Sequence, residues 1–409
     1  MPVRTFVYRL CPTRAQHAAL EVILRDQRQL YNAALEERQS AWRKAAKSIS
    51  FEDQTKSLTQ IRKFSKSYGD LPYNVSKWTL KRLDDSMKGF FRRVKSGQSP
   101  GFPRFRSTSR WNSFGFHQKA GLRLIDDRLY FSGGLVGGLK VRMHSPLPDS
   151  SVIKSAIFTK EAGIWRVALA CEIPAAAIND NGTIVGIDVG VNFLATDSDG
   201  HRYENIQPAR KLAKRVQRTQ REVTRSCRGS KSRRKKVERL RRIHRKVRNQ
   251  RATRLHDVAN AIVRSTSTIV VEDLKIKNMT RSAKGTLDAP GTNVRQKAGL
   301  NRVLADAAPG RLIAMISYKA ESAGGQMIKV DPRNTSRTCS SCGIVDATQL
   351  SRTRYRCRCG LDLHRDYNAA INIRKRGILA LHEAARGLGD ANATGCGERR
   401  PGKADPLAA

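Results

Sequence analysis

Acid is what this sequence is short of. Its 409 residues hold 35 Asp and Glu against 78 Lys and Arg, a formal net charge of +43. Such a chain repels itself and pulls strongly on polyanions. Nucleic acid is the ordinary sink for this charge, because each neutralised phosphate releases condensed counterions. Also missing is any run of about twenty apolar residues, which excludes a membrane-spanning helix. The N-terminal stretch MPVRTFVYRLCPTRAQ has neither a continuous apolar core nor a small-residue cleavage site. A secretory signal is therefore not expected, and the expected setting is cytoplasmic. No internal repeat of fixed period is present. Cysteine is sparse, yet four of the eight fall within residues 339–359. In a chain that is not secreted, such crowding points to metal binding rather than disulfides. Cys11, Cys171, Cys227 and Cys396 are scattered and read as plain thiols.

What is present is enough to fold: 39% of residues are hydrophobic. Residues 1–10 alternate apolar and polar through Val3, Phe6, Tyr8 and Leu10, a strand pattern. From Thr13 to about Lys95 the spacing is helical, with Leu20, Ile23, Leu24, Leu30, Leu35 and Trp42 first. After a loop at 68–74 a second helix runs through Leu80, Leu83, Met87 and Phe90. Gly97, Pro100, Gly101 and Pro103 break the pattern. From Trp111 to Pro174 the period becomes two, which predicts an antiparallel sheet or barrel. The first strand can pair with that sheet, making residues 13–95 an insertion. A second α/β region opens at Gly182. Within it, Arg210–Arg254 carries twenty-one basic residues and two acids, Glu222 and Glu238, yet keeps apolar residues at helical spacing. This predicts a helical hairpin that bends near Arg228 and lies against phosphates. The chain from Arg386 is rich in Gly, Ala and Pro and is expected to be disordered.

Three acids carry the candidate chemistry. In Ile184-Val-Gly-Ile-Asp188 the alternation puts Ile184, Gly186 and Asp188 on one face. An acid ending an apolar strand is costly unless it is paired or holds a metal, and Gly186 and Gly190 leave room beside it. Thr268-Ile-Val-Val-Glu272 is a second apolar run ending in acid, with Asp273 as the neighbouring alternative. In the segment from Asp362 to Arg374, Asp366, Ala369, Ala370 and Ile373 share one helix face. Each acid alone reads equally as a cap or turn. Together, two strand carboxylates and one helix carboxylate suit a pair of divalent ions about 4 Å apart that clamp the attacking and leaving oxygens of a phosphodiester. Mg²⁺ fits such a set, since it takes few carboxylates and keeps waters and phosphate oxygens.

Cys339-Ser-Ser-Cys342 and Cys357-Arg-Cys359 form two close pairs, the pattern of a closed tetrahedral structural zinc site. One residue rather than two separates the second pair, so His364 stands as an alternative fourth ligand to Cys359.

The order of these parts resembles the transposon-encoded TnpB family, the presumed ancestors of type V CRISPR effectors. The matching segments are GIDVG, the basic hairpin, VVEDL, TSRTCSSCG, the Cys-X-Cys pair and the HRDYNAAINI helix. Phe90-Phe-Arg-Arg-Val-Lys followed by Gly101-Phe-Pro-Arg-Phe105 is similar as well. The resemblance implies a multidomain α/β fold. A wedge domain, an OB-like β-barrel, is expected over 1–12 and 96–180, with a helical recognition domain inserted at 13–95. A RuvC-like nuclease domain with an RNase H-like sheet is expected over 181–335 and 361–380. A zinc ribbon that contacts target nucleic acid is expected at 336–360, and a disordered tail at 381–409. It further implies an RNA-guided DNA endonuclease with catalytic and Mg²⁺-binding Asp188, Glu272 and Asp366, and zinc on Cys339, Cys342, Cys357 and Cys359. The implied partners are an omega-type guide RNA from the transposon end and double-stranded DNA beside a short transposon-adjacent motif. No small-molecule substrate and no membrane are expected, and the setting is nucleoid-associated. Phe51, Lys77, Trp78 and Lys81 are the residues expected to read the motif. A guide-directed DNA-binding repressor without cleavage is the alternative, which loss of any of the three acids would favour.

Overall fold

A computed structural model describes residues 3–116, 121–133, 135, 137–174, 177, 179, 181–286, 288–346 and 353–393, with side chains of the last helix described to residue 383. The chain divides into two compact units, residues 1–175 and 176–409.

The first unit opens with β1 (Val3–Leu10), followed by α1 (Arg14–Ala45), α2 (Phe51–Phe64), α3 (Lys66–Gly69) and α4 (Tyr73–Lys95). It returns through β2 (Ser113–Phe116), β3 (Arg123–Ile125), β4 (Arg128–Tyr130), β5 (Leu139–Arg142), β6 (Val152–Glu161) and β7 (Ile164–Glu172). The helical stretch expected before residue 68 is split. Ala46 ends α1 in the left-handed region, and a capping box between Ser50 and Asp53 starts α2 afresh. The strands form one antiparallel sheet in the order β2-β6-β7-β1-β5-β4-β3. β1 lies inside it, paired to β7 from Val3↔Glu172 to Arg9↔Arg166 and to β5 at Leu10↔Val141. Among the described residues no ladder joins β2 to β3. Leu20, Leu35, Leu58, Leu80 and Leu83 from the helices share one continuous core with Tyr8, Phe114, Phe158 and Trp165 from the sheet. Each such side chain contributes roughly 1.5–3 kcal/mol of burial.

The second unit runs β8 (Ile184–Asp188), β9 (Phe193–Asp197), β10 (Arg202–Glu204), α5 (Pro208–Thr224), α6 (Lys231–Arg264), β11 (Thr268–Glu272), α7 (Ile276–Met279), α8 (Val294–Ala307) and α9 (Pro309–Ser322). It continues with β12 (Gln326–Val330), the hairpin β13 (Arg354–Arg356) and β14 (Asp362–His364), and α10 (Arg365–Ala393). Five strands form a mixed sheet ordered β10-β9-β8-β11-β12. β11 is parallel to β8 and β12, and β9 is antiparallel to β8 and β10. Alternation sorts the two faces. Val185, Ile187, Ile269 and Val271 pack on Leu255, Val258 and Ile262 of α6 and Leu312 and Ile316 of α9. On the other face Val270 and Val330 pack with Ile373 of α10. Small residues let α10 sit close: a Cβ on Gly186 would lie 2.2 Å from the Ala370 carbonyl oxygen, and one on Gly377 would lie 2.3 Å from Val270.

The basic segment is a hairpin of α5 and α6. Buried Asp306 of α8 accepts from the backbone N–H groups of Ala209 and Arg210 at the start of α5 and pairs with Arg251 of α6 at 2.9 Å. It fills the cap that Gln207 leaves empty. The tail expected to be irregular from 381 is helical further than that, because α10 runs to Ala393. Residues 394–409 lie outside the described residues.

Candidate active site and cysteine cluster

The β8–β11 ladder runs in register from Thr268↔Ile184 to Val271↔Ile187. One step further along this register sets Glu272 beside Asp188, on strands about 4.8 Å apart. Both acids end their strands on the face that α10 covers, and Asp366 stands in the first turn of α10. Burial pushes the Asp188 carboxyl up to about 8, and the negative charges of Glu272 and Asp366 push in the same direction. Glu272 is also raised by burial, against a hydrogen bond from Thr335 and the positive Arg376. Asp273 takes the opposite environment: it pairs with Lys275 and with Lys329 at 3.8 Å, and its carboxyl is held below the usual range by the Lys275 contact. Glu272 and Asp273 thus stand in opposite environments, one buried beside Thr335 and the other paired with lysines.

The supporting contacts were not legible from spacing. The Thr335 hydroxyl donates to Glu272 Oε1. Asn372 of α10 donates to the carbonyls of Thr335 at 2.9 Å and Thr338 at 2.7 Å. Asn368, one turn earlier and fully buried, donates to the Thr338 carbonyl at 2.8 Å and accepts from the Ser340 N–H at 2.9 Å. These two amides tie the first cysteine loop to the helix that carries Asp366. The only available signal was two Asn four residues apart in the sequence of α10.

The four cysteine sulfurs converge within 4.8 Å of one another, with Cys339–Cys359 and Cys342–Cys357 each at 3.6 Å. A tetrahedral zinc with bonds of about 2.3 Å sets sulfurs about 3.8 Å apart, so the cluster could hold a zinc ion. Cys359 belongs to the cluster. His364 instead packs against Phe193 and accepts from the Asp366 N–H at 3.3 Å. Its pKa is lowered, chiefly by burial, so it stays neutral near pH 7.

The residues expected to read a DNA motif lie in the first unit. Phe51 is the first residue of α2, and Lys81 Nζ sits 5.6 Å from its ring. Lys81 also pairs with Asp85 at 3.1 Å and Asp84 at 3.4 Å. Lys77 lies over Tyr73, and Trp78 lies against Gly115 of β2. Sequence reasoning passed over Arg82 as one more exposed base. Its guanidinium sits 5.4 Å from the Trp78 ring and 4.6 Å from Trp111, and donates to Ser113 at 3.1 Å.

Residues 1–47 match a family model described as a helix-turn-helix domain, 169–283 one described as "probable transposase", and 310–373 one described as a Cas12f1-like TNB domain. Within 1–47 the structure has β1 and the single helix α1. Two similar proteins bear the name "putative RNA-guided DNA endonuclease". InsQ of Escherichia coli (strain K12) is 30% identical over 315 residues, covering 76% of each chain. The protein of Streptomyces pristinaespiralis is 28% identical over 385 residues, covering 92% of this chain and 90% of its own. A cryo-EM structure of a Cas12f1–sgRNA–target DNA complex aligns with a TM-score of 0.52 at 14% identity, over 88% of this chain and 83% of that one. At that identity the likeness is one of fold.

Proposed function

The chain belongs to the TnpB family, and on that premise we propose that it is an RNA-guided DNA endonuclease cutting at Asp188, Glu272 and Asp366. The observation that carries this reading is the placement of three carboxyls on one side of the sheet: Asp188 and Glu272 end the paired strands β8 and β11, and Asp366 stands in the first turn of the helix that covers that face. Like charges gathered where water is excluded are unfavourable without a cation. The donor set, all carboxylate, fits Mg²⁺. When bound, a pair of such ions would lower the pKa of an attacking water and offset charge on the leaving oxygen. Asp188 and Glu272, fixed by the strand ladder, would hold the ions from one side. Asp366 would approach from the helix, at a position set by Asn368 and Asn372. Thr335 holds the Glu272 carboxylate in one orientation.

The mixed sheet, with β8, β11 and β12 parallel and β9 antiparallel to β8 and β10, supports an RNase H-like, RuvC-type nuclease domain over 181–335 and 361–380. The cysteine cluster supports a structural zinc in the 336–360 ribbon. The first unit would then supply the wedge and recognition helices, with Phe51, Lys77, Trp78 and Lys81 near the adjacent motif. The basic α5–α6 hairpin suits a nucleic-acid backbone. The relatives' names support a guide RNA and target DNA as partners.

The test is to purify the protein with RNA transcribed from its own transposon end and to change the guide segment. The expected outcome is a co-purified RNA and a cut that moves with the new guide. A cut site that stays put would defeat guide dependence.

A further inference from the structure

Where α1 ends, a cavity of about 570 Å³ opens between that helix, the loop after it, α4 and the loop around Phe102. Its walls include three rings that are unusually open to solvent: Trp42 (63% exposed), Phe91 (59%) and Phe102 (40%). Phe90 packs edge-on against both Phe91 and Phe102, with centroids 5.1 Å apart in each case, so this aromatic wall is preformed. Exposed aromatic surface gathered in a concavity marks a binding site more often than a random surface does.

The chemistry around the rings is basic. Arg43 and Lys47 line the cavity, and Lys44, Arg92, Arg93 and Lys95 lie on the same ends of α1 and α4. Arg38, nine-tenths buried, also lines it. Its Nε donates to Gln54 at 2.8 Å and its Nη1 faces Asp84 at 3.6 Å, but its buried Nη2 has no hydrogen-bond partner. A buried guanidinium nitrogen left without an acceptor is costly. A second copy of this chain is a poor candidate, since two basic rims would face each other. Aromatic faces beside cations are instead what single-stranded nucleic acid binds, with bases stacked and phosphates paired.

We propose that this cavity seats one unpaired nucleobase of the guide RNA. Trp42, Phe91 and Phe102 hold the base, and Arg43 and Lys47 meet the flanking phosphates. The inference rests on the RNA-guided reading above. RNA is favoured over target DNA because loops and ends of RNA already present unstacked bases, whereas a duplex must first be opened.

The test uses the assembled protein–RNA complex with 4-thiouridine in the guide, irradiated and digested. Adducts are expected on peptides containing Trp42 or Phe91. Trp42→Ala or Phe91→Ala, both at exposed positions, should weaken guide binding by roughly 5- to 150-fold, the range for losing one base–ring stack, and Trp42→Phe should restore most of it. RNA adducts elsewhere on the chain with none on these peptides overturn the proposal while leaving guide binding intact. Adducts that arise only from 4-thiothymidine in the DNA overturn it in favour of the displaced strand. A two-chain assembly that Trp42→Ala dissociates overturns it in favour of a second copy. Absence of any bound RNA overturns the RNA-guided reading and this inference with it.

Discussion

Replacing Gly186 with alanine should disable the candidate centre without touching an acid. The added Cβ would stand 2.2 Å from the Ala370 carbonyl oxygen and 2.4 Å from the Arg374 nitrogen, both backbone atoms of α10. Ordinary contact begins near 3.4 Å, so the helix must retreat by about 1 Å, and no side-chain rotation relieves the clash. Asp366 rides on that helix one turn before Ala370. Overpacking of this kind costs about 1–3 kcal/mol, while a 1 Å misplacement at a reacting centre can cost about 10²-fold in rate. Gly186→Ala should therefore lose about a hundredfold in single-turnover DNA cleavage and a few kcal/mol in denaturant unfolding. Gly299→Ala serves as the control: it sits inside α8 with nothing within 4 Å, and should gain roughly 0.5–1 kcal/mol with unchanged cleavage. Wild-type cleavage by Gly186→Ala would refute the close seating of α10 on β8.

Other outcomes follow from the same geometry. Thr335→Val removes the donor to Glu272 within a nearly unchanged volume. Cleavage and Mg²⁺ affinity by calorimetry should fall about 10- to 100-fold, and Thr335→Ser should recover both; an inert valine variant would remove Thr335 from the site. Cys342→Ala and Cys359→Ala should each abolish zinc in elemental analysis of the purified protein, whereas His364→Ala should keep it, and the reverse result for Cys359 and His364 would overturn the four-cysteine set. In metal-free protein, burial and the neighbouring acids push the Asp188 carboxyl up to about 8 from its ordinary 3.8. The native state thus binds the extra proton between about pH 4 and pH 8, and stability falls as pH rises through that window. Asp188→Asn should unfold at higher denaturant than wild type at pH 8 and converge with it near pH 4; parallel curves at all pH values would contradict the buried, crowded environment.

Much of this arrangement was legible in the sequence because it rests on short-range pattern. Apolar runs ending in acid gave β8 and β11, and the alternation assigned Asp188 and Glu272 to their faces. Alanines at helical spacing marked the face of α10 that meets the sheet. What stayed hidden depends on long-range pairing. The Thr335–Glu272 contact spans 63 residues, and the choice between Cys359 and His364 turns on how a hairpin folds back, not on spacing. The break between α1 and α2 was missed because the apolar period continues across it, and only the capping pair Ser50–Asp53 betrays the restart. Arg82 looked like one of many surface bases until β2 and Trp111 closed over it.

The account stands most directly on Asp188, the acid whose environment the other two define. The deciding measurement compares cleavage of matched double-stranded DNA by wild type and Asp188→Ala, each loaded with the same guide RNA in Mg²⁺, alongside target binding. The expected result is undiminished binding with cleavage reduced to background in the variant. Equal cleavage by both proteins, or binding without cleavage by wild type itself, would contradict it.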